Sequence, residues 1–257
     1  MASYRALVMD VIRRADILLE VVDARFPDET RNNYVEEQII RADKPFIIVL
    51  NKCDLVSKEK LEKTKNRFSK FVPAVFVSGK DRFGTTILRH KILEVVEAST
   101  IMDRDILVGC LGYPNTGKSS VINGVSGKHK AGTSSISGHT KGVQHVNAGS
   151  RIKFIDTPGV IPSNEFDEIM QGLLGIKDAT HLKDTVGVAM KIIEVMCSES
   201  KAELESFYKV DIGDLDVYES LEAIGKRNNF LKKKGEIDET RTAIRIINDW
   251  QKGQFVV

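Results

Sequence analysis

Near the middle of the chain, Gly112, Gly117, Lys118 and Ser119 are spaced as GxxxxGKS within the stretch GYPNTGKSS. The chemistry of that spacing is phosphate binding. Glycines let backbone N–H groups turn toward β-phosphate oxygens, and a helix opening at the lysine adds the positive end of its dipole. The lysine ammonium reaches the β- and γ-phosphates, and the serine hydroxyl can ligate Mg2+. Asn115, Thr116 and Ser120 lie in the same turn and join Gly117, Lys118 and Ser119 as candidate nucleotide contacts. The apolar run ILVGCL precedes the loop and SSVINGV follows it, which is the strand-then-helix setting the motif requires. A nucleoside triphosphate is the expected ligand.

Three further clusters fit the same ligand. DTPG, Asp156 to Gly159, closes the run RIKFI. A carboxylate there can hold Mg2+ and the Gly159 N–H can meet the γ-phosphate. NKCD, Asn51 to Asp54, closes FIIVL. The Asp54 carboxylate can accept from N1–H and the exocyclic amine of guanine, Asn51 can reach the other edge, and the stem of Lys52 can lie along the ring. Adenine offers neither donor pattern, and a site built on a substrate's hydrogen bonds rejects the analogue lacking them by roughly 10⁴-fold. SGK, Ser78 to Lys80, closes the next apolar run, AVFV, where the Gly79 N–H can meet guanine O6. The nucleotide is therefore expected to be GTP or GDP.

These residues need elements to hold them. Short β-branched runs, ILLEVVDAR, FIIVLNKCD, AVFVSGK, ILVGCLGYP and RIKFIDTPG, alternate with amphipathic segments, as βα units around a largely parallel sheet do. Each run ends in polar or glycine-rich residues, at the strand ends where such sheets bind ligands. After Ile161 the texture turns helical: HLKDTVGVAMKIIEVM, SKAELESFY, DVYESLEAI and ETRTAIRIINDWQK. Ser200 with Glu203 and Asp216 with Glu219 have capping-box spacing. The expected architecture is α/β, with a P-loop domain over residues 1–162 and a smaller all-α domain over 163–257. The Gly-, Ser- and Lys-rich segment 127–142 reads as a loop that a ligand would order.

Composition sets the outer limits. With 257 residues and 42% hydrophobic content the chain can build a sizeable core. Its 38 basic and 36 acidic residues nearly cancel, so attraction to a polyanion must come from a local patch. Cys53, Cys110 and Cys197 form no CxxC pair and leave an odd count, against a disulfide framework or zinc site. No apolar run approaches the ~20 residues of a membrane-spanning helix. A cytoplasmic monomer without membrane contact is expected.

The order of the motifs is unusual. NKCD and SGK come first, then GYPNTGKS, then GHTKG around Thr140, then DTPG. With DARFPDETRN at Asp23 to Asn32, that order resembles the circularly permuted GTPases of the YlqF/RbgA type, which take part in assembling the large ribosomal subunit. The resemblance covers nearly the whole chain. It implies a permuted Ras-like P-loop domain that turns over GTP slowly, with partner stimulation. Thr140 would complete Mg2+ coordination with Ser119 and Asp156, and Asn115 would hold a monovalent cation, K+. Lys118, Thr140 and Gly159 would then be the groups at the reacting phosphate.

Ras-like enzymes orient the attacking water with a glutamine just after DxxG. Here Val160 and Ile161 follow, and the family likewise has an apolar residue there. Bacterial members begin with an aromatic-Pro-Gly-His stretch whose histidine is a candidate for that task. MASYRALVMDV lacks it, leaving His139 as a substitute to be weighed against a solvent-facing loop histidine.

In the last helical segment Arg241, Arg245, Asn248 and Lys252 share one stripe, while Ala243, Ile246, Ile247 and Trp250 take the opposite side. Lys226, Arg227, Lys232, Lys233 and Lys234 extend the basic side as a candidate phosphate-contacting surface. The resemblance implies that its partner is ribosomal RNA. The alternative left open is a GTP-regulated module that grips a protein or a small RNA.

Overall fold

The computed structural model describes residues 4–97, 104–127, 144–148, 151–156 and 166–257. Six strands form one sheet: β1 (Ile17–Asp23), β2 (Phe46–Asn51), β3 (Ala74–Val77), β4 (Ile106–Leu111), β5 (Gln144–Ala148) and β6 (Ile152–Asp156). Their order across the sheet is β3-β2-β1-β4-β6-β5. Neighbours pair in parallel except at the edge, where β5 runs antiparallel to β6. The chain therefore steps outward from β1 through β2 to β3, then returns to the other side of β1 with β4. The crevice at such a reversal, outside the carboxyl ends of the strands, is where open α/β sheets bind ligands.

Burial explains why these runs are strands. All seven residues of β1 and all six of β2 are buried, as parallel strands covered on both faces must be. Around the sheet lie α1 (Tyr4–Arg14), α2 (Asn33–Arg41), α3 (Lys58–Phe68), α4 (Thr85–Glu97) and α5 (Lys118–Ser126). Ile17, Leu19, Val21, Ile47, Val49, Val108 and Phe154 from the strands meet Leu88, Ile92, Val121 and Ile122 from the helices in one apolar core. Each such side chain contributes about 1.5–3 kcal/mol by leaving water. The Asn32 side chain caps α2 at the Val35 N–H, and Ser57 caps α3 at the Lys60 N–H.

The chain divides into two compact units, Met1–Ser163 and Asn164–Val257. The second is built from α6 (Glu168–Leu173), α7 (Thr185–Glu199), α8 (Lys201–Tyr208), α9 (Val217–Arg227) and α10 (Glu239–Gln251). In α7, Val188, Ala189, Ile192, Ile193 and Met196 are buried, and α10 buries Ala243, Ile246, Ile247 and Trp250. Trp250 Nε1 donates to the Leu173 carbonyl at 2.7 Å, pinning α10 to the end of α6. Asp216 and Glu219 form the complete capping box of α9. Ser200 starts α8 without a side-chain cap bond. It also ends α7, donating its N–H to the Met196 carbonyl, and so serves two helices with its backbone.

Thr140, His139, Gly159, Val160 and Ile161 lie outside the described residues, as does the segment 128–143. Asp156 ends β6, and its side chain also lies outside what is described. Among the described residues no helix is long and apolar enough to cross a membrane.

Candidate nucleotide-binding site

Among the described residues, the anchoring positions of the motifs fall at the carboxyl ends of parallel strands. Asp23 ends β1, Asn51 ends β2, Ser78 follows β3, Gly112 follows β4 and Asp156 ends β6. Lateral pairing sets them side by side: Asp23 is the register partner of Asn51, which is also paired with Val77. The Ala24 N–H donates to the Asn51 carbonyl at 2.8 Å, continuing the ladder past the end of β1.

The loop from Gly112 to Gly117 turns back on itself under tight steric limits. Gly112 has φ 145°, and a Cβ there would stand 2.4 Å from the Val21 carbonyl oxygen. Gly117 has φ 91° and caps α5 without a side-chain bond, and a Cβ on it would sit 2.1 Å from Asn51 Nδ2. Only glycine fits either position. The first turn of α5 leaves N–H groups without helical acceptors, and the helix dipole adds partial positive charge at this point. Lys118, 6% exposed, donates from Nζ to the carbonyls of Tyr113 at 2.8 Å and Gly112 at 3.0 Å. Thr116 Oγ1 also donates to the Tyr113 carbonyl, at 3.0 Å.

Asn51 joins three motifs. Only 2% exposed, it donates from Nδ2 to the Thr116 carbonyl at 2.6 Å and accepts from the Gly79 N–H at 3.0 Å. The phosphate loop and SGK are thus held through one amide. The Gly79 N–H, the group read as meeting guanine O6, has its acceptor in Asn51 here. Ser78, also buried, shapes the next turn: its Oγ bonds the Asp81 carboxylate at 3.0 Å and accepts from the Asp81 N–H at 3.2 Å. Lys80 follows on the surface. Asp54 lies half-buried in a short 3₁₀ turn, Cys53–Leu55. Burial, reinforced by Asp54, pushes the Cys53 thiol up to about 11, so it stays neutral.

Lys52 stands between Asn51 and this turn with φ 61°. A left-handed backbone costs a residue with a Cβ about 1–2 kcal/mol. The bend delivers its ammonium to Asp23 Oδ2 at 2.7 Å. Asp23 also takes Arg25, from Nε to Oδ1 at 3.1 Å and from Nη2 to Oδ2 at 2.8 Å. Burial by itself would raise the Asp23 carboxyl, but the two cations beside it hold it well below the usual carboxylate range. Burial pulls the Lys52 ammonium below the ordinary lysine value, against the attraction of Asp23.

A second polar group ties the chain after β1 to the phosphate loop. Asn32 Nδ2 meets Tyr113 Oη at 3.1 Å and Tyr4 Oη at 3.2 Å. Its N–H donates to Glu20 Oε1 at 2.8 Å. Glu20 is fully buried, and burial together with the neighbouring Glu36 carboxylate raises its carboxyl well above the ordinary glutamate value. Motif reading found neither Asn32 nor Tyr113. Their signal is a polar residue closing DARFPDETRN and an aromatic second in the phosphate loop.

For Mg2+ the chemistry of the donor set fits. Ser119 offers a hydroxyl in the first turn of α5, and Asp156 ends the strand next to β4. Hard oxygen donors of this kind suit Mg2+.

On the helical unit the candidate cations lie at the surface. Lys226, Arg227, Lys232, Lys233, Lys234, Arg241, Arg245 and Lys252 are all exposed, and the apolar side of α10 is buried, as the stripe predicts. Two stripe residues are engaged. The Arg245 Nε donates to Asp249 at 2.6 Å, and the Arg241 guanidinium lies 4.5 Å from the centre of the Phe230 ring. Lys226 pairs with Glu222 at 3.4 Å.

A parallel sheet whose phosphate loop follows β4, after the strands that carry the base motifs, defines a circularly permuted P-loop GTPase fold. A model of the family described as 50S ribosome-binding GTPase matches residues 107–213. An uncharacterised GTP-binding protein of Methanocaldococcus jannaschii is 38% identical over 251 residues, covering 98% of this chain and 65% of that protein. Nucleolar GTP-binding protein 2 of Saccharomyces cerevisiae is 34% identical over 254 residues, covering 95% of this chain and 50% of its own length. The chain thus spans about half to two-thirds of these relatives. GDP-bound YlqF of T. maritima superposes with a TM-score of 0.70 at 23% identity, over 96% of this chain and 95% of that one. In sequence the chain is similar to these GTP-binding proteins, and in fold to YlqF.

Proposed function

We propose that this protein binds GTP and GDP with Mg2+, hydrolyses GTP, and acts on the large ribosomal subunit through its helical unit. The observation that carries the nucleotide reading is Asn51. One buried amide bonds the phosphate loop at Thr116 and the SGK turn at Gly79, so a ligand that touches one motif touches a unit containing all three. Asp54 is the group that selects guanine, by accepting from N1–H and the exocyclic amine. Lys118 is placed to exchange its loop carbonyls for β- and γ-phosphate oxygens. Ser119, Asp156 and Thr140 are the residues that would hold Mg2+, which would draw off charge from the phosphates during transfer. Thr140 and Gly159 would meet the γ-phosphate, and Asn115 would hold K+.

The ribosomal partner is supported by the description of the matching family and by the exposed cations from Lys226 to Lys252. Contacts of that kind go to phosphate rather than to bases. The segment after DTPG leads into the helical unit, so γ-phosphate would bias what that unit binds. The test is GTP turnover by the purified protein in potassium and in sodium buffer, with and without 50S subunits. Slow turnover quickened by subunits is expected, and a preference for potassium would support Asn115. Turnover that subunits leave unchanged would remove the ribosomal partner and leave the nucleotide site.

A further inference from the structure

The buried charges at the end of β1 belong to none of the nucleotide motifs, yet they meet one of them. Asp23 is 1% exposed and presents both carboxylate oxygens to cations. Oδ1 accepts from the Arg25 N–H at 3.1 Å and from its Nε at 3.1 Å, and Oδ2 accepts from Arg25 Nη2 at 2.8 Å. The same Oδ2 accepts from Lys52 Nζ at 2.7 Å. Behind the carboxylate the backbone is fixed as well, because the Asp23 N–H donates to Thr30 Oγ1 at 2.9 Å and Thr30 Oγ1 donates to the Phe26 carbonyl at 2.6 Å. A planar guanidinium gripping a carboxylate by two bonds fixes its orientation as well as its charge.

Lys52 is the second residue of NKCD. Its aliphatic stem is the surface on which a guanine would rest, and a lysine stem left to itself samples many rotamers. Here both ends are held. The backbone is bent at φ 61°, and the ammonium is tied to Asp23 across the end of the sheet. The side chain between them is 21% exposed.

We propose that Asp23, oriented by Arg25, is a positioning residue for guanine-nucleotide binding: it holds the Lys52 stem flat as the floor of the base site. This rests on the guanine-nucleotide reading above. A floor fixed before the ligand arrives lowers the ordering cost of binding for GTP and GDP alike. Loss of the tie therefore quickens release of both nucleotides by the same factor, while turnover of bound GTP stays as it was.

The test is a double-variant cycle on the full chain, reading release of a fluorescent GDP by stopped flow. D23N keeps the shape of the side chain and removes its charge. Release from D23N is expected to quicken by roughly tenfold, the usual scale of a hydrogen bond to a charged group. K52M removes the floor's anchor. D23N in the K52M background should then change release by less than about twofold, the additivity limit for independent sites. KM for GTP should rise with kcat retained. If D23N does not fold, the same cycle runs with R25M, which leaves Asp23 and Lys52 as a matched pair with the fork removed. Quickened release that vanishes without Lys52 supports the inference. Release at the wild-type rate, or an equal increase with and without Lys52, overturns it. Failure of the wild-type protein to hold GDP would instead overturn the guanine-nucleotide reading itself.

Discussion

The nucleotide motifs and the basic face of the helical unit are both polar surfaces read from sequence, but they are built in opposite ways. At the strand ends the polar side chains are buried and bonded. Asn51 serves two backbone partners, Lys118 bonds two carbonyls, and Asp23 binds two cations. On the helical unit, Lys232, Lys233, Lys234 and Lys252 stand in solvent. A small anionic ligand needs donors fixed in advance at set distances, and burial with full bonding supplies that. A polyanion needs charge over an area, for which mobile exposed lysines suffice.

Replacement of one group should therefore cost much at the first surface and little at the second. The largest effect is expected for Asp54→Asn, which exchanges the acceptor for guanine N1–H and amine for an amide. Competition binding should show preference moving from GTP toward xanthosine triphosphate by roughly 10⁴-fold. Unchanged preference would mean that Asp54 does not touch the base. Next comes Lys118→Ala, which removes the charge-assisted bonds to the β- and γ-phosphates. Affinity for a non-hydrolysable GTP analogue by titration calorimetry should fall by about 100-fold.

The helical unit should respond more gently. Joint replacement of Lys232, Lys233 and Lys234 by alanine should weaken ribosomal RNA binding, and the slope of log K against log salt should become shallower by about 2 to 3. An unchanged slope would show that these lysines are ordinary surface and would favour the protein-binding alternative.

The smallest effect concerns Glu20. Its carboxyl is raised in the folded chain, so the folded state keeps a proton that the unfolded state loses above about pH 4.3. Stability from this group is full below that value and falls as pH rises toward the folded pKa. A glutamine side chain mimics the protonated form at every pH. E20Q should therefore melt about 3 °C higher than wild type at pH 8, with the difference closing toward pH 4. A lower melting temperature at pH 8 would show that Glu20 is ionised in the fold.

Much of the first surface was legible because its chemistry fixes spacing. GxxxxGKS, NKCD and SGK each put a required residue at the end of an apolar run, and β2, β3 and β4 appear where those runs lie. What escaped was the wiring between motifs. Asn32 and Tyr113 are 81 residues apart in the chain, and only the sheet order brings them together. α1 was missed because mixed residues such as Arg5 and Met9 blur its apolar face, and β5 because QHVNA has a single strongly apolar residue and pairs only at an edge. On the helical unit the burial of Ile246 and Trp250 followed from periodicity. The pairing of Arg245 with Asp249 and the stacking of Arg241 on Phe230 did not, since charge spacing on an exposed face admits many partners.

The most direct test of guanine-nucleotide binding is displacement of a fluorescent GDP from the wild-type protein in Mg2+ by GTP and by ATP. GTP should displace it stoichiometrically, with ATP ineffective until roughly 10⁴-fold higher concentration. Equal competition by ATP, or no binding of GDP at all, would contradict the assignment of Asp54, Asn51 and the phosphate loop to one guanine-nucleotide site.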